Sequence, residues 1–345
     1  PSNKLPLATD HIKEQISMIR KLEDSGFAYV AGGNVYFDTS RLNNYGKLGG
    51  IVKELESRVD KDINKQNPHD FVLWFTKSKF QDQDMKWDSP WGKGYPGWHI
   101  ECSAMATKYL GNHFDIHMGG EDLAHIHHNN EIAQSESALS KEPWVNYWLH
   151  SAFLVNKDNS KMSKSKGDIT TLDGLIKSGF HPLDYRYLTL GTHYRKQLIF
   201  SKDGLESAKN ARSKLDQFVA KIRSKASKIK DGEKYLDHFS DALNDDFNTP
   251  QALSIISKLM KDSILSNSEK YSLIIKFDEV LGLGLANISE DIPKEIFGLA
   301  EEREKLRSQK KYMESDKVRE KIEKQGYTIL DEIDGYRIIK SSSSN

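Results

Sequence analysis

The most informative parts of this chain are two short stretches, Trp98-His-Ile-Glu-Cys102 and His127-His-Asn-Asn-Glu131. Cys102 is the single cysteine of the 345 residues, so no disulfide can form within the chain. A thiolate, an imidazole and a carboxylate are all ligands of Zn²⁺, and residues four apart lie on one face of a helix. Cys102, His127 and Glu131 are therefore predicted zinc ligands, which leaves one coordination position for a substrate.

The same residues also have a simpler explanation. A lone cysteine is commonly a small buried apolar residue. Histidines near the Gly119-Gly120 pair could simply satisfy a loop. Taken alone, the residues leave both interpretations open.

A second candidate for chemistry is the pentapeptide Lys161-Met162-Ser163-Lys164-Ser165, which lies in a polar stretch between Asn159 and Gly167. The composition predicts a mobile, cationic loop. Two ammonium groups can neutralise the charge that develops on a triphosphate as pyrophosphate leaves, and small serines let the backbone come close. The alternative is a solvated surface loop rich in Lys and Ser.

Together with several other segments, these residues resemble those of the cysteinyl-tRNA synthetases, which are class I aminoacyl-tRNA synthetases. The matching segments are Asn67-Pro-His-Asp70-Phe-Val-Leu-Trp74, Ser89-Pro-Trp-Gly92, Pro96-Gly-Trp98-His-Ile-Glu-Cys102-Ser-Ala-Met105, Gly119-Gly120, Asp122-Leu123, His127-His128, Asn130-Glu-Ile-Ala-Gln134, the 161–165 pentapeptide, Gly191-Thr-His-Tyr-Arg195 and Asp245-Asp-Phe-Asn-Thr-Pro250. The resemblance implies a Rossmann-like α/β nucleotide-binding catalytic domain of the class I synthetase type, present in part. An α-helical bundle that binds the anticodon region of tRNA is expected to follow it.

The resemblance also implies a set of domain boundaries. The expected order is a remnant of the first half of the catalytic domain at 1–12, a connective insertion at 13–97, the second half of the catalytic domain with the zinc site at 98–143, a stem-contact region with the pentapeptide loop at 144–203, a helical bundle at 204–290, and an anticodon-recognition module with a tail at 291–345.

Site roles follow from the resemblance residue by residue. Zinc ligation falls to Cys102, His127 and Glu131, with one zinc per chain, and the substrate amino acid is expected between Trp98 and His117. The 161–165 pentapeptide is implied to bind ATP, with Lys161 and Lys164 as catalytic residues on the phosphates. Magnesium is expected to accompany ATP. Apart from the resemblance, Trp98 could be a core tryptophan and His117 an interior imidazole.

Two family features are absent from this chain: a cysteine near the N-terminus that supplies a fourth zinc ligand, and a His-x-Gly-His signature that packs on the nucleotide. We therefore expect the chain to begin inside the catalytic domain, as a fragment or as the ordered remainder of a longer enzyme.

Zinc gives a physical route to the implied specificity. A ligase for cysteine must reject serine, which is nearly isosteric, and a hydrophobic pocket discriminates such a pair poorly. Zn²⁺ stabilises a thiolate near neutral pH, whereas an alcohol coordinates only as a weak neutral donor. The implied reaction joins the cysteine carboxylate to the α-phosphorus of ATP and then passes the acyl group to tRNA.

Hydrophobic spacing predicts several local elements. A helix carries Ile12 to Leu22 and ends near Gly26, and a hairpin joins residues 27–30 to 35–37. Helical spacing returns beyond residue 203, and Thr249-Pro250 is predicted to be the cap and first turn of a helix. A last hairpin, 327–330 with 336–339, is expected to offer aromatic faces to unstacked bases.

The composition limits which partners and which cellular location we expect. Basic and acidic residues balance at 50 each, so an RNA partner must be sought in local patches. Two basic clusters are candidates for phosphate contacts: Lys221, Arg223, Lys225, Lys228 and Lys230, and Lys305, Arg307, Lys310 and Lys311. Each could equally be an exposed helix face. No apolar run could cross a bilayer and no signal peptide is apparent, so we expect a cytoplasmic, monomeric protein without a membrane partner.

The sequence is compatible with three functions. The first is a cysteine-tRNA ligase with tRNA(Cys), cysteine and ATP as partners. The second is a related ligase that joins cysteine to an aminosugar, although the helical stretch after residue 203 favours tRNA. The third is a truncated chain that binds zinc and tRNA but cannot activate cysteine.

Overall fold

The computed structural model describes residues 2–49, 62–80, 82, 84–156, 171–223, 228–288, 293–332 and 335–340. The chain divides into two compact units, Pro1–Ala152 and Phe153–Asn345. The finer division into six regions stays a prediction. Among the described residues, no helix combines the length and the apolar character that a bilayer span requires.

The first unit combines helices with a small antiparallel sheet and a parallel strand pair. Its elements in chain order are α1 (Ile12–Asp24), β1 (Ala28–Ala31), β2 (Asn34–Phe37), β3 (Phe71–Phe75), β4 (Tyr95–Pro96), α2 (Trp98–Leu110), β5 (Phe114–Gly120), α3 (Asn129–Leu139) and β6 (Val145–Ser151). Strands β1 to β4 pair in sequence order as an antiparallel sheet, and β5 pairs with β6 in parallel.

The predicted first helix and hairpin are both confirmed. Helix α1 buries Met18, Ile19 and Leu22, which share one face and pack with the apolar side chains of β2 and β3. The β1–β2 turn contains Gly32 and Gly33 at φ values of +58° and +95°, a pair of left-handed conformations that suits a tight hairpin turn.

A buried carboxylate ties the sheet to its preceding loop. Asp70 is only 1% exposed. It accepts hydrogen bonds from the backbone N–H and hydroxyl of Thr39 at 2.8 Å each, from the Tyr29 hydroxyl at 2.7 Å and from the Asn67 N–H at 2.9 Å. Burial raises the pKa of Tyr29, so its hydroxyl remains a donor. The segment that resembles the family at 67–74 is thus anchored by one side chain.

The second unit is mainly helical. Its elements are β7 (Leu154–Val155), α4 (Leu172–Lys177), α5 (Pro182–Leu190), β8 (Leu198–Ile199), α6 (Lys202–Ile222), α7 (Glu233–Asn244), α8 (Thr249–Lys261), α9 (Asn267–Leu281), α10 (Lys294–Ser308), α11 (Tyr312–Lys324), β9 (Tyr327–Glu332) and β10 (Gly335–Lys340). Helices α6 to α9 share one hydrophobic core, in which Phe239 stacks on Phe277 with ring centroids 4.1 Å apart.

The predicted helix after residue 248 forms, but its cap differs from the prediction. Asn248 is the N-cap, and its side chain accepts a hydrogen bond from the Gln251 N–H at 3.2 Å. Thr249 is the first helical residue, and Pro250 follows in the first turn. The carboxamide of Asn reaches the free N–H groups at least as well as a threonine hydroxyl, which explains the shift by one residue.

A small terminal module follows the bundle within the second unit. Helices α10 and α11 pack with the β9–β10 hairpin, which forms as predicted. Tyr327 is only 7% exposed and Tyr336 packs on the same core. The expectation that the hairpin offers both aromatic faces to bases is therefore wrong for Tyr327, because that ring supplies core surface.

Candidate metal centre

The start of helix α2 lies close to the backbone of strand β3. Gly97 is its N-cap, and the Gly97 N–H donates to the Leu73 carbonyl at 2.8 Å. A Cβ on Gly97 would lie 2.0 Å from the Val72 carbonyl oxygen, so only glycine fits. This contact fixes the first turn of α2, from which Trp98 and Cys102 project.

The imidazole of His127 and the carboxylate of Glu131 come from a different segment than Cys102. Residues Ala124–His128 form a π-helical turn that leads directly into α3. His127 is 4% exposed and Glu131 is fully buried. The two residues were expected on one helix face, and the π turn still leaves His127 Nε2 3.6 Å from Glu131 Oε1. Single π turns are frequent at functional sites.

The three predicted ligands converge. One ligand atom each from Cys102, His127 and Glu131 lies within 4.8 Å of the others. Among the described residues, neither carboxylate oxygen of Glu131 makes a hydrogen bond of good geometry, and the groups that face this carboxylate are a thiol and imidazoles. Burying an ionised carboxylate is costly unless a cation neutralises it, so the donor set fits a bound cation.

The donor types favour zinc. Sulfur, nitrogen and oxygen donors in one small cluster suit Zn²⁺ better than Mg²⁺ or Ca²⁺, which prefer all-oxygen sites. Burial raises the pKa of the Cys102 thiol to about 12, and the carboxylates of Glu131 and Glu101 add to the effect. The thiolate therefore needs a neighbouring cation to form at neutral pH.

His99 is a residue that the sequence did not single out. Its Nδ1 lies 2.8 Å from Nδ1 of His127, so one of these nitrogens donates to the other. Burial lowers the pKa of His99 to about 3, which keeps its ring neutral and able to accept. If His127 donates from Nδ1, its Nε2 lone pair faces Glu131 and is available to a metal.

A second group of potential ligands shares the same carboxylate. His117, His128 and Glu131 also bring ligand atoms within 4.8 Å of one another. His117 Nε2 is 3.1 Å and His128 Nε2 is 3.9 Å from Glu131 Oε2. His128 Nδ1 lies 2.8 Å from His150 Nε2 on β6. Glu131 is thus surrounded by imidazoles on two sides.

The predicted substrate residues border this cluster. The Trp98 ring centroid lies 4.4 Å from that of His127, and Trp98 is 59% exposed, so it is not a core tryptophan. His117 is half-buried on β5, and its ring lies 4.7 Å from that of Trp148. Both side chains are therefore beside the predicted zinc ligands, where a bound amino acid could contact them.

Gly119 lies against the side chains of His128 and Leu123, so a substitution at this glycine tests the role of His128. A Cβ at Gly119 would lie 2.6 Å from His128 Cε1 and 2.8 Å from Leu123 Cδ1. We expect Gly119→Ala to displace His128 and to weaken zinc binding roughly 10- to 100-fold, as loss of supporting contacts around a metal does. Zinc affinity measured against a chromophoric chelator checks this.

A matched control is Gly298→Ala, because a Cβ at Gly298 meets nothing within 4 Å. That variant should bind zinc as the parent chain does. Unchanged affinity in Gly119→Ala would mean that His128 has no supporting role.

The pentapeptide that was predicted to bind ATP, Lys161-Met162-Ser163-Lys164-Ser165, lies outside the described residues. Its roles stay predictions from the sequence.

Comparison with known proteins identifies the family of the chain. A family model described as the tRNA synthetases class I (C) catalytic domain matches residues 1–210, and a DALR domain model matches residues 238–286. The cysteine–tRNA ligase of Treponema denticola is 44% identical, over 94% of this chain and 73% of the relative. That of Borrelia hermsii is 40% identical, over 97% of this chain and 75% of the relative.

Among solved structures, the chain is similar to the LeuRS of Agrobacterium radiobacter K84 in its ternary complex, at 13% identity and a TM-score of 0.42, over 58% of this chain and 32% of that one. The extent and identity of the sequence matches are what assign the family. The chain belongs to the cysteine–tRNA ligase family of class I aminoacyl-tRNA synthetases.

Proposed function

We propose that this chain performs the ATP-dependent activation of cysteine and its transfer to tRNA(Cys), with a zinc ion held by Cys102, His127 and Glu131 selecting the substrate thiolate. The observation that carries the metal part is the fully buried Glu131 carboxylate, which lies within reach of the Cys102 thiol and of three imidazoles. The cysteine–tRNA ligase names of the relatives support the reaction.

The zinc, when bound, supplies a soft cation that prefers a thiolate to an alcohol. The protein groups around it provide orientation. His99 and His127 meet through their Nδ1 atoms, which directs Nε2 of His127 at Glu131. The exposed Trp98 ring offers one wall for the amino acid, and His117 offers a polar partner from β5.

We assign ATP binding to residues 161–165, with Lys161 and Lys164 on the phosphates and magnesium accompanying the nucleotide. Catalysis then consists of positioning and charge stabilisation, since no covalent nucleophile is required. The lysines neutralise the charge that grows on the leaving pyrophosphate as the carboxylate oxygen of cysteine bonds to the α-phosphorus.

Transfer RNA is the proposed acceptor. The DALR match at 238–286 falls in the helical bundle predicted to hold the anticodon stem and loop. Exposed cations flank the bundle at Lys221, Lys228 and Lys230, and others lie on the terminal module at Lys305, Lys310 and Lys311. Binding through these side chains should weaken as salt rises, because counterions are released from the phosphates.

The test of the metal assignment is a calorimetric titration of cysteine and serine into the zinc-loaded chain. Cysteine should bind and serine should not, and chelation of zinc should remove cysteine binding. Equal binding of serine, or cysteine binding that survives complete chelation, would contradict the selection mechanism. This measurement needs neither ATP nor tRNA.

The phosphate role has its own prediction. Lys164→Ala should slow adenylate formation by about 10²- to 10³-fold, because one charge-stabilising group is lost, and should leave the cysteine affinity nearly unchanged. Pyrophosphate exchange and calorimetry measure the two quantities separately. The control is Lys177→Ala, an exposed lysine at the end of α4, which should retain the parent rate. An unchanged exchange rate in Lys164→Ala would remove the phosphate role.

The same assays separate the two other functions. Pyrophosphate exchange with cysteine but no charging of any tRNA would favour an aminosugar acceptor. Cysteine binding without exchange would fit a chain that binds zinc but cannot activate its substrate. The DALR match favours the tRNA acceptor over the aminosugar.

A further inference from the structure

The two carboxylate oxygens of Glu131 face different side chains. Oε1 lies 3.6 Å from Nε2 of His127, which is a predicted zinc ligand. Oε2 lies 3.1 Å from Nε2 of His117 and 3.9 Å from Nε2 of His128. A carboxylate that presents one oxygen to each of two donor groups has the arrangement of a bridging ligand, which can bind two metal ions at once.

The separations around Oε2 suit a small metal ion. Nitrogen and oxygen ligands lie about 2.0–2.2 Å from Zn²⁺, so two ligands of a tetrahedral ion are about 3.3 Å apart. The separations of 3.1 and 3.9 Å lie close to that value. One ligand atom each from His117, His128 and Glu131 falls within 4.8 Å of the others, as in the group that contains Cys102. Small side-chain shifts are therefore enough to close this second group around an ion.

Packing holds the two imidazoles in place. His128 is only 1% exposed, and its Nδ1 lies 2.8 Å from Nε2 of His150. If His128 donates from Nδ1, its Nε2 lone pair faces Glu131 and is available to a metal. The Trp148 ring centroid lies 4.7 Å from that of His117 and 4.9 Å from that of His128. The donor group is thus oriented by neighbours on β6 as well as by its own elements.

The chemistry of the donors identifies the class of ion. Two imidazoles and one carboxylate suit Zn²⁺, Co²⁺ and similar divalent transition ions, whereas Mg²⁺ and Ca²⁺ prefer oxygen donors. This group lacks the thiolate that Cys102 offers to the other group. An ion here also lies near a second cation once the Cys102 group is filled, and like charges repel. The second ion therefore binds more weakly than the first.

We propose that His117, His128 and Glu131 form a second, weaker site for a divalent transition ion, in which Glu131 bridges to the zinc held by Cys102 and His127. Because His117 is the residue assigned to the substrate amino acid, an ion in this site competes with cysteine and inhibits its activation. The bridge rests on the proposed zinc centre, and the inhibition rests on the proposed reaction. Titrations with metal alone use neither cysteine nor ATP, so their failure is distinguishable from failure of the catalytic proposal.

Cobalt is the first probe, because its absorption reports the donor atoms. The first equivalent of Co²⁺ added to the full chain should give a thiolate-to-cobalt charge-transfer band from Cys102. A second equivalent should add ligand-field absorption without raising that band, since the second group contains no sulfur. Equilibrium binding in buffered zinc should likewise show two classes of site, and dialysis should empty the weaker one.

Variants assign the two sites to their ligands. His117→Asn should lose the weaker site and keep the thiolate-to-cobalt band. His128→Asn should lose the weaker site as well, with the tighter site weakened as expected for Gly119→Ala. In buffered zinc, Cys102→Ser should show the opposite pattern, with the tighter site lost and the weaker one retained.

His125→Asn is the matched control for these variants. His125 is an exposed imidazole in the same π turn, and it belongs to neither potential ligand group. This variant should bind both ions as the parent chain does. Circular dichroism spectra and unfolding temperatures of all variants show whether the fold is kept.

Inhibition is measured by pyrophosphate exchange at a fixed free cysteine concentration below KM, in solutions buffered to rising free zinc. The rate of the parent chain should fall about tenfold once free zinc exceeds the dissociation constant of the weaker site by about tenfold, by mass action. The rate of His117→Asn, relative to its own rate at low zinc, should stay constant. Chelation of cysteine by zinc affects both chains equally, because the solutions are the same. Absence of exchange even at low zinc would contradict the proposed function and not the second site, which the metal titrations test alone.

Three metal-binding outcomes would overturn the proposed site. The first is saturation of the parent chain at one ion. The second is a weaker ion that His117→Asn and His128→Asn still bind. The third is loss of all bound metal in His117→Asn, including the thiolate-to-cobalt band, which would mean that both groups serve one ion. Equal inhibition of the parent and of His117→Asn by zinc would contradict the competition with cysteine.

Discussion

Cys102→Ser should remove bound zinc and cysteine binding together. Cys102 supplies the sulfur donor of a cluster whose other members, His127 and Glu131, are hard or borderline donors. A serine hydroxyl stays protonated and coordinates weakly, so the zinc affinity should fall by at least about 100-fold. The loss of metal then removes the group that holds the substrate thiolate.

Glu101→Gln is the control for this experiment. Glu101 lies beside Cys102 on α2 and is absent from both potential ligand groups, so its amide variant should keep zinc and cysteine binding. Metal content is read by elemental analysis after dialysis, and cysteine affinity by calorimetry. Stoichiometric zinc in Cys102→Ser would show that the thiol is not a ligand.

Asp70→Ala should be the most destabilising of the single substitutions considered for the first unit. The buried carboxylate accepts hydrogen bonds from two groups of Thr39, from Tyr29 and from Asn67. Removing it leaves the two buried donors of Thr39 without partners, each worth about 1–3 kcal/mol, and also frees the half-buried donors of Tyr29 and Asn67. We expect a total loss of about 3–5 kcal/mol in the free energy of unfolding.

Urea denaturation of the parent and the variant measures this loss. The control is Asp88→Ala, an exposed aspartate in the same unit, which should change the free energy of unfolding by no more than about 0.5 kcal/mol. A change below about 1 kcal/mol in Asp70→Ala would mean that water replaces the carboxylate and that the anchor at 67–74 is dispensable.

The sequence predicts the candidate metal ligands partly from a local signal. The donor chemistry of a single cysteine and the His-to-Glu spacing of four on one helix face suggest zinc, and the resemblance to the family joins Cys102 to the other two candidate ligands. The hairpin at 28–37 and the helix from residue 12 follow from hydrophobic periodicity in the same way. These predictions agree with the described elements.

The groups that support the ligands could not be predicted from local sequence. His99 meets His127 across 28 residues, and His128 meets His150 across 22, so these pairs exist only after α2, α3 and β6 pack together. The π turn at Ala124–His128 also has no simple residue signature. A weak signal was present for His99, which stands inside the Trp98-to-Cys102 segment itself.

Exposure is the other property that the sequence misjudged. Tyr327 and Tyr336 were expected to offer their rings to unstacked bases, yet they pack on the small core of the terminal module. In contrast, Ile116 and Met118 have the pattern of core residues and are exposed. Burial depends on what covers an element, and periodicity gives only the side of the element that is apolar.

X-ray absorption at the zinc edge, on the chain loaded with one equivalent of zinc, tests the central claim most directly. The spectrum of the zinc-loaded chain should contain one sulfur scatterer at about 2.3 Å, from Cys102, together with nitrogen and oxygen scatterers from His127 and Glu131. Addition of cysteine should raise the sulfur count by one, and addition of serine should leave it unchanged. A spectrum without a sulfur scatterer, or a sulfur count that cysteine does not change, would contradict selection of the substrate through its thiolate.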